Sequence, residues 1–206
     1  MALSVAIVRY NAGNIRSVVC ALARLGVDAT VTDDPLKLAS AARIIFPGVG
    51  EASSAMHHLK ASGLDETLRS LRQPFLGVCL GMQLMCRHSS ENDTDCLGLF
   101  DAPVVRFQSG GIKVPHMGWN TVHELDTALF TGIDEGAWCY FVHSYHVPLV
   151  PETAATCTYG PCRFSAALAK DNFFGVQFHP EKSGPVGLRL LEHFIHHDWT
   201  EGSPWM

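Results

Sequence analysis

The 206-residue sequence contains no C-x-x-C pair, no cluster of Lys and Arg, and no unbroken apolar stretch of membrane-spanning length. Each absence removes a class of protein. Seven cysteines (Cys20, Cys79, Cys86, Cys96, Cys139, Cys157 and Cys162) are odd in number and irregular in spacing, which supports neither a disulfide framework nor a structural zinc site. Reduced thiols are therefore expected. A formal net charge of −5 without a basic stretch argues against a nucleic-acid partner. No apolar run approaches the roughly 18 residues of a transmembrane helix, so no membrane partner is expected. The first ten residues lack the charged start and cleavage site of a signal peptide and read as a first strand, which predicts a cytoplasmic protein. Eleven histidines are present, but the pairs His57-His58 and His196-His197 fall in helical stretches where exposed imidazoles are expected. Neither a metal nor a cofactor is predicted.

What is present is a hydrophobic fraction of 47% against 17% charged residues, the balance of a well-packed enzyme, and a length suited to one domain. Residues 3–8 form an apolar run suited to a buried parallel strand. A turn at Asn11-Ala-Gly-Asn14 follows, then a helix over 15–25 with Val18, Val19, Leu22 and Leu25 at helical spacing, ended by Gly26. Residues 27–32 read as a second strand, and Pro35 opens a short helix. Residues 43–46 give a third strand leading into Pro47-Gly-Val-Gly50, residues 51–71 one or two helices broken near Gly63, and 75–78 a fourth strand. Strand and helix thus alternate four times with connections too long for hairpins, which predicts a parallel sheet flanked by helices. From Gly98 onward, runs at 104–107, 119–123, 138–142, 155–158, 166–169 and 173–178 suit hairpins and antiparallel additions. A last helix is expected over 184–197. The domain is read as 1–199, with 200–206 as a frayed tail.

The stretch Pro74-Phe-Leu-Gly-Val-Cys-Leu-Gly-Met82 carries the chemistry. A short buried strand runs into Cys79, with glycines two residues to either side and a helical pattern beyond. This is the logic of a nucleophile elbow, where a strained turn needs neighbours without a Cβ. A helix start beyond the thiol favours thiolate. An isolated cysteine in a core would look similar, so a base is needed. The other sharply bounded strand end is Phe174-Gly-Val-Gln-Phe178, followed by His179-Pro-Glu181. His179 is a proton acceptor at neutral pH, and Glu181 can orient it if the two share one side of an extended segment. Two motifs with complementary roles, both at strand ends, point to a Cys-His-Glu triad. Ligands in such sheets bind beyond the carboxyl ends of the strands.

Gly77-x-Cys-x-Gly81 together with His179-Pro-Glu181 resembles the class I (triad-type) glutamine amidotransferases. Tyr10-Asn-Ala-Gly-Asn-Ile-Arg-Ser-Val18, Pro47-Gly-Val-Gly50, Pro115-His-Met-Gly-Trp-Asn120, Phe141-Val-His-Ser-Tyr145 and Gln177-Phe-His-Pro-Glu-Lys-Ser183 are similar, in order, to the glutaminase subunit of imidazole glycerol phosphate synthase. An Asp-Tyr-Gly sequence is common there at the first strand's end, where this chain has Arg9-Tyr10-Asn11. The resemblance implies a flavodoxin-like α/β fold and hydrolysis of glutamine through a thioester on Cys79. It also implies oxyanion donors at Leu80 and Val49, with flanking glycines that let the Val49 peptide flip. Substrate contacts are implied at Gly48, Gly50, Gln83, Ser144 and Tyr145. The implied partner is a (β/α)8-barrel cyclase subunit in a heterodimer, which would use ammonia to make imidazole glycerol phosphate and AICAR in histidine biosynthesis. The expected docking residues are Asn11, Asn14, Trp119, Tyr140 and Lys182. Competing readings are the glutaminase component of anthranilate synthase and a catalytically silent regulatory module of the same fold.

Overall fold

A computed structural model describes residues 3–11, 14–108 and 110–199. The expected tail at 200–206 and the two central residues of the Asn11–Asn14 turn lie outside the described residues. In the first half the chain runs β1 (Val5–Val8), α1 (Ile15–Arg24), β2 (Ala29–Thr32), α2 (Pro35–Ser40), β3 (Arg43–Gly48), α3 (Ala52–Ser62), α4 (Leu64–Ser70), β4 (Phe75–Cys79) and α5 (Leu80–Met85). The expected break in the 51–71 helix falls at Gly63, whose φ of 70° is left-handed and suits glycine.

The second half holds short strands β5 (His88–Ser89) and β6 (Thr94–Asp95), then β7 (Pro103–Arg106), β8 (His116–Val122), β9 (Ala137–His143) and β10 (Tyr145–His146). It continues with β11 (Thr153–Tyr159), β12 (Cys162–Lys170), β13 (Phe173–Val176) and α6 (Gly184–His196). The two-residue strands β5, β6 and β10 escape sequence reading, being too short to show alternation. The strand expected over 173–178 ends at Val176: the Gln177 N–H still bonds the Ala166 carbonyl of β12 in register (2.8 Å), and the His179 N–H then leaves for the Tyr140 carbonyl of β9 (2.9 Å).

The central sheet has seven strands in the order β11-β12-β13-β4-β3-β1-β2. The five from β13 to β2 are parallel, and β12 and β11 extend the sheet antiparallel. The α/β fold with parallel core and antiparallel additions is thus as expected. Alternation across β1 sends Val5 and Ile7 to one core and Ala6 and Val8 to the other, so the run reads as wholly apolar. Helices α1 and α6 cover the first face with Val18, Leu22, Leu190 and Phe194, and α2–α5 cover the second with Leu38, Met56, Leu59 and Leu84. β8 and β9 form a separate antiparallel ribbon.

This order positions the site. β4 is the middle strand, with β3 on one side and β13 on the other. Register pairs Gly48 with Cys79 across β3–β4 and Val176 with Val78 across β13–β4. The chain after β13 therefore emerges beside Cys79, which is how residues a hundred positions apart meet.

Candidate active site

Cys79 ends β4 at φ 55° and ψ −111°, a left-handed conformation rare for a residue with a side chain. Such strain persists only where surroundings over-determine it, and the flanking glycines show how. A Cβ at Gly81 would lie 1.9 Å from the Phe46 carbonyl oxygen, and one at Gly77 would lie 2.4 Å from the Met85 sulfur. Gly175, on the neighbouring β13, gives room for the Met82 side chain in the same way, with a would-be Cβ 2.4 Å from its Cγ. Strand and helix thus press together with no space for a methyl group, and the chain between them must turn sharply at the thiol.

The side chains of His179 and Glu181 are buried, and His179 Nδ1 is 2.8 Å from Glu181 Oε1. Their means of meeting differs from the expected extended segment. Pro180–Lys182 is a single 3-10 turn, entered at the extended His179, so the carboxylate folds back onto the ring. Proline suits the first position of such a turn because it has no N–H to leave unpaired. Gly187 allows the turn to pack, since a Cβ there would lie 1.9 Å from the Pro180 carbonyl oxygen. Burial alone would lower the His179 pKa, but Cys79 on one side and Glu181 on the other raise it to about 10. His179 is thereby biased toward its charged form, as a group that takes up and hands on a proton beside the Cys79 sulfur must be. Ring nitrogen Nε2 has no hydrogen-bond partner within the protein, which leaves it available to the reaction.

Beside the thiol opens a cavity of about 290 Å³ lined by Val49, Gly50, Cys79, Leu80, Gln83, Glu91, Pro115, Val142, His143, Ser144 and Tyr145. Six of the seven residues expected to hold glutamine or its oxyanion stand in this wall. The seventh, Gly48, lies behind it, tight against the Tyr10 hydroxyl and the Leu80 side chain. Leu80 is the first residue of α5, so its N–H has no partner within the helix. The Tyr10 hydroxyl donates to the Pro47 carbonyl (2.9 Å) and fastens the start of the Pro47–Gly50 loop. Burial and the nearby Cys79 push its pKa up, which keeps it a donor.

Among the docking candidates, Trp119 and Tyr140 face each other across β8–β9, ring centroids 6.0 Å apart. The Lys182 ammonium lies 5.8 Å from the Tyr140 ring centre. Asn14 also touches the triad: its amide donates to Glu181 rather than capping α1. Asn11 stands apart, its amide on Ser54 Oγ at 3.2 Å.

Sequence reasoning assigned no role to Gln177 or Glu91. Gln177 is fully buried, with Nε2 3.7 Å from Cys79 Sγ and Oε1 accepting from Gln83 at 2.8 Å. The β13–β4 register is its only signal. Glu91 comes from the loop between β5 and β6, accepts the Ala52 N–H at 2.8 Å, and brings a carboxylate to a cavity lined by no Lys or Arg; burial raises its pKa. Nothing in its local sequence marks it. Among the described residues no cluster of three or more His, Cys, Asp or Glu is arranged to hold a metal, and no helix is long and apolar enough to cross a membrane.

A family model described as glutamine amidotransferase class-I matches residues 7–197. The chain is 58% identical over 196 residues to the imidazole glycerol phosphate synthase subunit HisH of Bacteroides thetaiotaomicron, covering 94% of this chain and 99% of the relative. It is 45% identical over 195 residues to the subunit of the same name from Escherichia coli strain K12, with the same coverage. Among solved structures, a glutamine amidotransferase superposes with a TM-score of 0.71 at 20% identity, covering 92% of this chain and 96% of that one. PurLQS from Thermotoga maritima superposes with a TM-score of 0.71 at 17% identity over 94% and 98%. At these identities the structures speak for the fold alone.

Proposed function

The chain belongs to the class-I glutamine amidotransferases and is a cysteine-based glutaminase of the imidazole glycerol phosphate synthase subunit HisH type; from that premise we propose how its residues divide the work. Cys79 attacks the side-chain carbonyl carbon of glutamine as His179 takes the thiol proton. The tetrahedral oxyanion is held by the N–H groups of Leu80 and Val49, at about 2.7–4 kcal/mol for each donor. Collapse breaks the C–N bond, and His179 delivers the departing ammonia its proton. The γ-glutamyl thioester is then cleaved by water that His179 deprotonates, releasing glutamate and restoring the thiol. Glu181 orients His179, and Asn14 steadies Glu181. Gly48, Gly50, Gln83, Ser144 and Tyr145 hold the substrate, with the Glu91 carboxylate suited to its α-ammonium group. The observation that carries this assignment is the strained Cys79 at a cavity mouth, backed by a buried histidine whose charged form is favoured. Glutamine hydrolysis by the intact chain, abolished in Cys79→Ala, is the expected result; activity that survives the change would sink the mechanism.

The consumer of the ammonia is a (β/α)8-barrel cyclase subunit that docks on Asn11, Asn14, Trp119, Tyr140 and Lys182. In it ammonia and an aminoimidazole carboxamide ribonucleotide give imidazole glycerol phosphate and AICAR. Supporting this, Met117, Trp119 and Trp138 are each more than half exposed on the outer face of the β8–β9 ribbon, three large apolar side chains on one face of the kind a docking surface presents. Lys182 adds a cation at the edge of the patch. The ribbon is also joined to the triad, since the Tyr140 carbonyl accepts the His179 N–H. Glutaminase activity should be weak in the isolated chain and strongly raised by a cyclase subunit with its nucleotide. Pull-down with such a subunit and an ammonia-transfer assay test this, and full turnover unchanged by any partner would contradict it.

A further inference from the structure

Behind the glutamine cavity lies a run of polar groups, two buried histidines and a half-buried asparagine, that the reaction does not use directly. His116 and His143 sit opposite one another in the β8–β9 register, with His116 Nδ1 2.9 Å from His143 Nε2. His143 Nδ1 is 2.7 Å from the Tyr145 carbonyl oxygen, and Asn120 Nδ2 is 3.3 Å from His116 Nε2. These distances fix every proton. A carbonyl can only accept, so His143 carries its hydrogen on Nδ1, and in a neutral ring Nε2 must then accept. His116 accordingly donates from Nδ1, and its Nε2 accepts from the Asn120 amide. The amide cannot be reversed, because Asn120 Oδ1 already accepts the Thr121 N–H at 2.8 Å and Nδ2 also reaches the Thr158 carbonyl at 3.0 Å.

The far end of this run is the substrate edge. The Tyr145 carbonyl accepts a second bond, from Gln83 Nε2 at 2.9 Å, so both its lone pairs are occupied. The other Gln83 amide hydrogen goes to Gln177, which leaves Oε1 as the atom that Gln83 can turn to the cavity. Burial supports a neutral pair, with His116 lowered to about 4 and His143 to about 3, the latter also by its neighbouring imidazoles. On β8 the relay residues His116 and Asn120 alternate with the exposed Met117 and Trp119, so one strand carries the relay inside and the apolar patch outside.

We propose that Asn120, His116 and His143 form a one-directional hydrogen-bond relay that holds the Tyr145 carbonyl and Gln83 in the glutamine-binding arrangement, with His116 and His143 as positioning residues. This rests on the glutaminase reading for its substrate, but its proton placement stands on geometry alone. Two readouts on the full chain test it. With ¹⁵N-labelled imidazoles, long-range ¹H–¹⁵N correlation spectra near neutral pH should show both rings neutral with the hydrogen on Nδ1. Either ring cationic, or with its hydrogen on Nε2, overturns the relay. In glutaminase kinetics with a cyclase subunit and its nucleotide, His116→Phe should raise KM for glutamine about tenfold, the loss of one buried hydrogen bond, with kcat nearly unchanged. His116→Asn keeps an N–H where Nδ1 stood and should recover most of that affinity. Equal KM increases in both variants, or none in His116→Phe, would overturn it. Absence of turnover by the unaltered chain would strike the glutaminase reading instead, and the tautomers would still decide the relay.

Discussion

On the side of the site built by β3, β4 and α5, the reacting groups are held by close contact, whereas on the side built by β8, β9 and β10 they are held by directed hydrogen bonds. Around Cys79, backbone meets backbone through Gly48, Gly77 and Gly81, with no room for a methyl group. Around Tyr145, by contrast, a carbonyl is fixed by donors from His143 and Gln83, each itself fixed by a further partner. Packing is steep and short-ranged, so it suits a nucleophile that must keep a strained angle. Hydrogen bonds are weaker and orientation-dependent, which suits a substrate edge that must accept and release a ligand.

The comparison predicts that changes on the first side act on chemistry or folding, and those on the second on binding. Cys79→Ala should lower glutamine turnover at least about 10⁴-fold, measured as ammonia release, with the fold intact. Glu181→Gln preserves shape but weakens the hold on His179, and should lower kcat about 10²- to 10⁴-fold with KM little changed. A KM effect of comparable size would mean that Glu181 belongs to the binding side. Gly81→Ala should destabilise by about 3 kcal/mol in denaturant unfolding, because its Cβ would meet the backbone of Phe46 rather than a side chain that can swing away. A variant as stable as the parent would show that the elbow has slack.

The smallest expected effect concerns acid. Burial lowers the pKa of His116 and His146 to about 4 and of His143 to about 3. In the unfolded chain these rings titrate near about 6.5. Between that value and their folded values the unfolded state binds more protons, so stability rises with pH across the window and is lost as pH falls through it. Tm should drop by several degrees as pH is lowered from about 7 to about 5, and Asn substituted at His116 should lessen the drop. A flat Tm over that range would mean that these rings are not buried neutral.

How much of this could be read from the residues alone depends on how local each feature is. The elbow was legible because strand, glycines and helix start lie within nine consecutive residues, and the strand–helix alternation before it fixed a parallel sheet. His179 and Glu181 were legible as partners, but not the 3-10 turn that joins them, since an extended and a tightly turned His-Pro-Glu have the same residues. Asn14 was legible only as a docking residue; that its amide also holds Glu181 is a contact across 167 positions that no spacing announces. Gln177, Glu91 and the His116–His143 pair were out of reach for the same reason. Their roles come from strand register and loop closure between distant segments, whereas sequence periodicity reports only which face a residue takes.

Every role given to the site turns on Cys79 forming a covalent γ-glutamyl intermediate beside His179. Rapid acid quench of the chain turning over glutamine, followed by peptide mass spectrometry, tests it most directly. A glutamyl adduct is expected on the peptide that carries Cys79 and none in Cys79→Ala. An adduct on another residue, or undiminished glutamine hydrolysis by Cys79→Ala, would contradict it.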